Sequence, residues 1–260
     1  MTGMLSGVLA STLFVDPAST AVVVAVIFVA YVVFGLSGFG SALIAVPILA
    51  HIWPLTAVVP LMAMFEVVAA LAIGGTQRRS LDRREFLALA PFMLAGIAIG
   101  VTLLLSLPSP WLLVGLGLFV LGYGLRGALK KDGSFARVSR LWAVPLGLVG
   151  GMMSALFGTG GSFYLMYIAG RVEDKSALRA TISTVLGTSN AVRLVVFFIA
   201  GLLAPAVIVT ALVLLPVVLI GLWLGGRLHA RVTREQILRG VCVLLVVSGG
   251  SLLVRAVGLL

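Results

Sequence analysis

Apolar segments of about 20 residues recur along this chain from Ala21 to the C-terminus, and short polar or proline-containing joints separate them. An α-helix needs about 20 apolar residues to cross the hydrocarbon core of a bilayer. Hydrophobic residues make up 61% of the 260 residues and charged residues only 10%, too few to cover the surface of a soluble domain. The chain is therefore predicted to be an all-α polytopic membrane protein.

The Lys and Arg residues predict how the helices are oriented. Four joints are rich in them, whereas the joints near residues 51–55, 106–110 and 201–205 contain none. The positive-inside rule places the basic joints in the cytoplasm, and the other joints and both termini outside. Because the net charge of +10 is spread over these joints, it favours a topology signal over nucleic-acid binding. The basic joints carry Arg78, Arg79, Arg83 and Arg84; Arg126, Lys130, Lys131, Arg137 and Arg140; Arg171, Lys175 and Arg179; and Arg227, Arg231, Arg234 and Arg239.

Six segments are predicted to span the membrane, and two others to form re-entrant hairpins. The hairpins, Ala21–Ile52 and Leu141–Gly170, are interrupted by glycines, and their second arms of about ten residues are too short to span. With this count every basic joint is cytoplasmic. The predicted spans are about Leu55–Gly75, Phe86–Leu105, Trp111–Leu125, Leu178–Ala200, Pro205–Gly225 and Ile237–Val254.

The two glycine-rich breaks indicate an internal repeat. The sequence LSGFGS at residues 36–41 is followed 120 residues later by LFGTGG at residues 156–161, and each interrupts a hairpin that precedes three spans. The first hairpin enters from outside and the second from inside, so residues 1–130 and 131–260 are predicted to be inverted-topology repeats. Glycine-interrupted segments at matching places in inverted halves are typical of the binding site of a secondary transporter.

The same breaks carry a family resemblance. The sequences GLSGFGSALIAVPIL and ALFGTGGSFYLMYIAG, with the basic joint between them, resemble the TauE/SafE family of sulfite exporters, also called 4-toluene sulfonate uptake permeases (TSUP). The resemblance covers nearly the whole chain. It implies a carrier of the bacterial cytoplasmic (inner) membrane for small sulfur-containing anions such as sulfite, sulfonates or sulfoacetate. The second copy departs from the pattern at Tyr167, where the first copy has Pro47.

Two charged residues, Glu66 and Arg193, lie well inside predicted spans, at nearly equivalent places in the two halves. A charge at membrane depth usually faces the protein interior or a water-filled path, so the two side chains are expected to meet. In one interpretation they form a structural ion pair. In the other, Arg193 binds the transported anion through its planar fork of donors, and Glu66 orients it or carries a coupling proton.

The hairpin tips are the second candidate site. The short helices are expected to begin near Ser41 and Ser162, with either serine as a possible cap, and their N-termini to converge near the midplane as an anion site. In the alternative interpretation the glycines only allow close helix packing. A polar face on the span before Arg193, formed by Thr184, Thr188 and Asn190, either lines the same site or helps the helices to pack closely. The candidate substrate-binding residues are Ser37, Gly38, Phe39, Gly40, Ser41, Gly158, Thr159, Gly160, Gly161, Ser162, Thr188, Asn190 and Arg193.

Two other classes of protein compete with a transporter. An anion channel would share this composition, although paired breaks in inverted halves fit alternating access better. An intramembrane enzyme would need a buried nucleophile with a base, or clustered ligands, which the predicted spans lack. No metal site or cofactor is expected, because neither His51, His229 nor Cys242 has a partner at ligand spacing. A proton is the candidate coupling ion, and the oligomeric state is open.

Overall fold

The computed structural model describes residues 17–37, 40–73, 81–129, 137–228 and 234–258. These residues form ten α-helices and no strand, and a 3₁₀ turn at Arg140–Trp142 leads into the sixth helix. The all-α prediction is therefore confirmed. The helices are α1 (Pro17–Ser37), α2 (Ser41–Leu49), α3 (Leu55–Ile73), α4 (Arg83–Ser106), α5 (Ser109–Leu129), α6 (Ala143–Phe157), α7 (Gly161–Ala169), α8 (Lys175–Ile199), α9 (Pro205–Leu228) and α10 (Arg234–Val257).

The six predicted spans correspond to α3, α4, α5, α8, α9 and α10, and the described helix ends lie within four residues of the predictions. Each hairpin consists of a long first arm, α1 or α6, and a second arm of 9 residues, α2 or α7. A helix of that length rises only about 14 Å, less than half of the hydrocarbon core. Six described helices are long and apolar enough to cross a membrane, and α1 and α6 with its 3₁₀ turn are among them.

The helices group into two compact units that cut across the predicted repeats. The first unit comprises Met1–Phe65, Leu107–Lys131 and Gly201–Leu260, and the second comprises Glu66–Ser106 and Asp132–Ala200. The division falls inside α3, so Glu66 belongs to the second unit. The repeat boundary near residue 130 stays a prediction.

In the first unit, α1 packs against α9 through glycines. A Cβ atom on Gly35 would lie 2.6 Å from the carbonyl oxygen of Leu222, and one on Gly221 would lie 3.0 Å from the carbonyl oxygen of Phe28. A Cβ atom on Gly225 would overlap the carbonyl oxygen of Val32. These positions need glycine because the two backbones touch. Residue numbers rise together along both helices, so α1 and α9 run parallel.

In the second unit, α4 packs against α6 in the same manner. A Cβ atom on Gly100 would lie 2.7 Å from the carbonyl oxygen of Met152, and one on Gly147 would lie 3.2 Å from that of Leu89. Cβ atoms on Gly96 and Gly151 would overlap backbone carbonyl oxygens of the facing helix. These two helices are also parallel.

The two glycine contacts occupy matching places in the sequence. Residues 28–35 of α1 face Gly221 and Gly225, and residues 148–155 of α6, which lie 120 positions later, face Gly96 and Gly100. In each case the first arm of a hairpin packs in parallel against the second span of the other half of the chain. This packing is consistent with the predicted repeat.

The second hairpin returns to the end from which it entered. Val138, just before the 3₁₀ turn, donates its backbone N–H to the carbonyl of Gly170, just after α7, at 3.2 Å. The side chain of Arg171 donates to Glu85 at 3.0 Å, and the Tyr167 hydroxyl donates to the same carboxylate at 2.5 Å. These bonds tie the end of α7 to the start of α4. The hydrogen bond to Glu85 raises the pKa of the Arg171 guanidinium, so this side chain stays charged.

Glu85 is a buried charge that the sequence analysis missed. The predicted span starts at Phe86, but α4 begins at Arg83, because the Asp82 carboxylate caps it by accepting from the backbone N–H of Arg84 at 3.0 Å and of Glu85 at 3.1 Å. Glu85 is only 4% exposed. Tyr167, the position where the second hairpin departs from the first, supplies one of its hydrogen bonds.

Candidate functional site

A buried stripe on α8 positions the candidate site in the second unit. The Asp174 carboxylate caps this helix by accepting from the backbone N–H of Ala177 at 2.7 Å, which fixes where its turns begin. Buried side chains then recur every four residues, the spacing of one helix face. They are Thr181, Val185, Ser189, Arg193 and Phe197.

Arg193 lies in this stripe with no exposed surface, and its guanidinium is held at both ends. One terminal nitrogen donates to the Glu66 carboxylate at 2.5 Å. The other donates to the backbone carbonyl of Ser154 at 2.5 Å and lies 3.3 Å from the Ser154 hydroxyl. The Phe197 ring lies 6.0 Å from the guanidinium carbon, at the limit of a cation–π contact. The structure thus brings the two predicted intramembrane charges together.

The Nε–H of Arg193 has no hydrogen-bond partner among the described residues, although it is fully buried. Buried polar groups in proteins are nearly always hydrogen-bonded, so an unsatisfied donor on a charged group requires an explanation. The Nε–H of the guanidinium is therefore a buried donor that neither Glu66 nor Ser154 uses.

Three hydroxyl groups extend the polar cluster beside Arg193. The hydroxyl oxygens of Ser154 and Ser189 lie 3.2 Å apart, and the Tyr164 hydroxyl lies 3.2 Å from Ser189. Gly150 makes room for the Tyr164 ring, because a Cβ atom there would lie 2.5 Å from a ring carbon. Ser154 and Tyr164 are not among the site residues predicted from the sequence. Ser189 could have been included, since it precedes Arg193 by four residues.

The N-terminus of α7 lies against α6 and near the middle of α8. Gly160, which precedes α7, lies against α6, where a Cβ atom would overlap the Gly150 carbonyl and lie 2.6 Å from the Cβ of Ser154. At Gly161 a Cβ atom would lie 3.0 Å from the side chain of Leu186, near the middle of α8. The start of α7 is therefore level with Ser154, which holds Arg193. A helix N-terminus carries about half a positive charge and unpaired N–H groups.

The tip of the first hairpin belongs to the first unit. Gly40 precedes α2 with a φ angle of 94°, a left-handed conformation that favours glycine. Ser41, the first residue of α2, is 1% exposed, and its hydroxyl has no partner among the described residues. The prediction that Ser41 or Ser162 caps the short helices is wrong. The cap positions are Gly40 and Gly160, and no side chain bonds there.

The remaining candidate residues fall in three places. Gly38, Phe39 and the side chain of Ser37 lie outside the described residues. In the second tip, Gly158 ends α6 with a φ angle of 72°, and Thr159 is 4% exposed, with its hydroxyl 3.5 Å from the Met153 carbonyl. The half-buried candidates are Ser162, Thr188 and Asn190.

The polar cluster contains the kinds of group that hydrogen-bond anions in proteins. Its groups are a guanidinium, hydroxyls and a helix N-terminus, with a single carboxylate that already accepts from Arg193. Across the described ranges, no three His, Cys, Asp or Glu side chains lie together as metal ligands would.

Comparison with known proteins decides the family. The model of the family described as sulfite exporter TauE/SafE matches residues 23–252 of this chain. The chain belongs to the TauE/SafE family. A curated relative from Comamonas testosteroni, the probable inner membrane transporter protein TsaS, is 31% identical over 195 residues, covering 74% of this chain and 81% of the relative. No solved structure matches the chain. This protein is thus a multi-pass membrane transporter of the TauE/SafE family, as the resemblance of its glycine-rich breaks indicated.

Proposed function

We propose that this TauE/SafE protein is a secondary transporter that moves a small sulfur-containing anion, such as sulfite, a sulfonate or sulfoacetate, across the bacterial inner membrane by alternating access. Two comparisons support the proposal: the family is one of sulfite exporters, and the relative from Comamonas testosteroni is a probable inner membrane transporter. Because the family is one of exporters, we infer a carrier and not an enzyme.

The observation that carries the proposal is the buried, unsatisfied Nε–H of Arg193, whose partner Ser154 lies against Gly160, the residue before α7. A sulfite or sulfonate group has several oxygens that accept hydrogen bonds, and charge-assisted bonds to such oxygens are about twice as strong as neutral ones. The helix N-terminus adds N–H groups and a favourable dipole on the same level. The hydroxyls of Ser154, Ser189 and Tyr164 supply further donors.

Glu66 and Ser154 have a positioning role in this account. They hold the two ends of the guanidinium, so that the direction of the Nε–H is fixed before a ligand arrives. Pre-ordering of this kind lowers the entropy lost on binding. The ion pair with Glu66 also stabilises the arginine charge at membrane depth while no anion is bound.

The first hairpin supports anion binding at its own tip. There the buried Ser41 hydroxyl is a donor without a described partner at the start of α2. The glycine before it leaves space, because a Cβ atom on Gly40 would meet only the Leu43 side chain, at 4.0 Å. We infer that the first tip offers an anion the N-terminus of α2 and the Ser41 hydroxyl.

The burial of Arg193 supports alternating access. A side chain with no exposed surface is not reachable by an anion from either side. Substrate exchange therefore requires the second unit to open around Ser154 and α7. A carrier that opens to one side at a time meets this requirement.

A ligand screen tests the proposal. The purified protein is heated with sulfite, sulfate, thiosulfate, taurine, sulfoacetate or an aryl sulfonate, and the unfolding temperature is measured. A ligand at a hundred times its Kd stabilises by about 2.7 kcal/mol. We expect a saturable rise with at least one sulfur oxoanion. Should none of them raise the unfolding temperature above a chloride control, the substrate class is wrong.

Counterflow in vesicles tests the carrier mechanism separately. A carrier exchanges labelled anion against a concentration gradient of unlabelled anion, whereas a channel only dissipates the gradient. We expect counterflow. Rapid dissipation without exchange would instead support an anion channel.

Proton coupling through Glu66 is the finer part of the proposal. Glu66 is the carboxylate in direct contact with Arg193, so a proton on it would weaken the ion pair that positions the guanidinium. In folded Glu66→Gln protein, the transport that remains is expected to be insensitive to a pH gradient. If this variant retains proton-driven accumulation, Glu66 does not carry the proton.

A further inference from the structure

An open groove of about 520 Å³ lies on the surface of the second unit, between the start of α4 and the start of α6. Two arginines, Arg84 and Arg140, stand at one end, and the rest of its lining is apolar. The apolar lining residues are Leu87, Ala88, Phe92, Leu141, Ala143 and Val144. The groove does not involve Arg193 or the start of α7, so it is separate from the candidate substrate site.

The charged end of the groove carries an excess of positive charge. Arg140 donates to the backbone carbonyl of Arg84 at 2.8 Å, which holds the two residues side by side. The guanidinium of Arg84 has no partner among the described side chains. Nearby acids are already used: Asp82 caps α4, Glu85 accepts from Tyr167 and Arg171, and Glu173 pairs with Arg137 at 2.6 Å.

The apolar wall faces outward. Leu87 is 65% exposed, Leu141 80% and Val144 38%. In a membrane protein, such side chains on helix surfaces meet lipid tails. Both arginines stand at helix starts where the positive-inside rule predicts the cytoplasmic surface, the level at which lipid phosphates lie. Basic pockets next to apolar helix surfaces on this side of the membrane bind anionic headgroups.

We propose that this groove binds one anionic phospholipid, with its phosphate between Arg84 and Arg140 and an acyl chain along Leu87, Phe92 and Val144. The complementary charge selects an anionic lipid such as phosphatidylglycerol over phosphatidylcholine. The contact spans the first turns of α4 and α6, so the lipid stabilises the junction at which the second hairpin enters the membrane.

The test measures the unfolding temperature of the whole purified protein with phosphatidylglycerol, phosphatidylcholine or glycerol 3-phosphate added to the detergent. We expect phosphatidylglycerol alone to raise the unfolding temperature, by about 2–4 °C. Native mass spectrometry is expected to show one retained phosphatidylglycerol per chain. An equal rise with phosphatidylcholine would overturn the proposal, and so would an equal rise with glycerol 3-phosphate, which has no acyl chain.

Two variants and a matched control locate the effect. Arg84→Gln removes a guanidinium without a described partner, and Ala88→Phe fills the apolar part of the groove without changing charge. Both are expected to lose the response to phosphatidylglycerol. Arg137→Gln, which removes an exposed arginine outside the groove, is expected to keep it. A full response in Arg84→Gln and Ala88→Phe, or its loss in Arg137→Gln, would contradict binding in this groove.

Discussion

Arg193 and Glu66 form a buried ion pair at 2.5 Å, with side chains that are 0% and 8% exposed. They are 127 residues apart in the chain, and the division between the two compact units places both in the second unit. The pair joins α8 to the second half of α3. The other terminal nitrogen of the guanidinium donates to the carbonyl of Ser154 on α6, so a single side chain links three helices.

The first prediction concerns the energy of this pair. Glu66→Gln leaves the Arg193 charge buried without its partner, which should destabilise the fold by about 3–5 kcal/mol. Arg193→Gln should destabilise the fold by a similar amount, because it leaves the buried Glu66 carboxylate without its cation. Thermal unfolding in detergent measures both effects.

The double variant Glu66→Gln, Arg193→Gln completes the cycle. Since it leaves no uncompensated charge, it should be more stable than either single variant. If the loss of stability in the double variant equals the sum of the losses in the two single variants, the two charges do not interact in the folded protein.

The pairing of Glu66 with Arg193 could be anticipated because these were the two charges placed well inside predicted spans. The helix positions and the two breaks also followed from apolar length and glycine content. Ser154 and Tyr164 could not be found in this way. Their hydroxyls reach the site through the packing of α6, α7 and α8, which no local pattern records. Glu85 was missed for a local reason: Asp82 extends α4 by a turn, and the apolar run begins only after it.

The second prediction compares a glycine that is needed for close helix packing with a glycine that has space for a side chain. Gly225→Ala should destabilise the first unit, because its Cβ atom would overlap the backbone carbonyl of Val32. The adjacent Gly226 is the matched control, since a Cβ atom there meets nothing within 4 Å. Gly226→Ala should be neutral or stabilising by up to about 1 kcal/mol, the helix-propensity gain. Equal unfolding temperatures for the two variants would refute the close contact between α1 and α9.

Gly160 and Gly161, at the tip of the second hairpin, allow the same comparison. Gly160→Ala should destabilise the second unit, because Gly160 lies against the Gly150 carbonyl. Lost transport in that variant would therefore not distinguish binding from packing. Gly161→Ala is the better probe, since its Cβ atom meets only the flexible end of Leu186, at 3.0 Å. It should keep most of the stability and weaken anion binding, as measured by the ligand concentration at half-maximal thermal shift. Unchanged affinity would remove Gly161 from the site.

The third prediction concerns the bonds that tie α7 to α4. Tyr167→Phe removes the hydroxyl that donates to Glu85 at 2.5 Å and should cost about 1.5–3 kcal/mol, the range for hydrogen bonds to charged groups. Arg171→Gln should also destabilise, because it leaves the buried carboxylate without its cation. Chemical unfolding checks both. A Tyr167→Phe protein as stable as the wild type would show that this hydroxyl makes no net contribution.

The fourth prediction is the topology. Single cysteines at Ser80 and Ser134, which lie outside the described residues, should be inaccessible to a membrane-impermeant reagent in intact cells. A cysteine at Ser109 should be labelled from outside, and Cys242 is first replaced by serine to remove the background. Labelling of Ser80 and Ser134 from outside would contradict the predicted orientation of the helices.

Counterflow by the double variant Glu66→Gln, Arg193→Gln tests the role of Arg193 in anion binding most directly. Wild-type protein, the double variant and Arg137→Gln are reconstituted in equal folded amounts, and exchange of the labelled sulfur oxoanion identified in the ligand screen is measured. If Arg193 binds the anion, the double variant loses counterflow although its charges are balanced, while Arg137→Gln exchanges like the wild type. Wild-type exchange in the double variant would show that Arg193 and Glu66 only neutralise each other, and would contradict the proposed site.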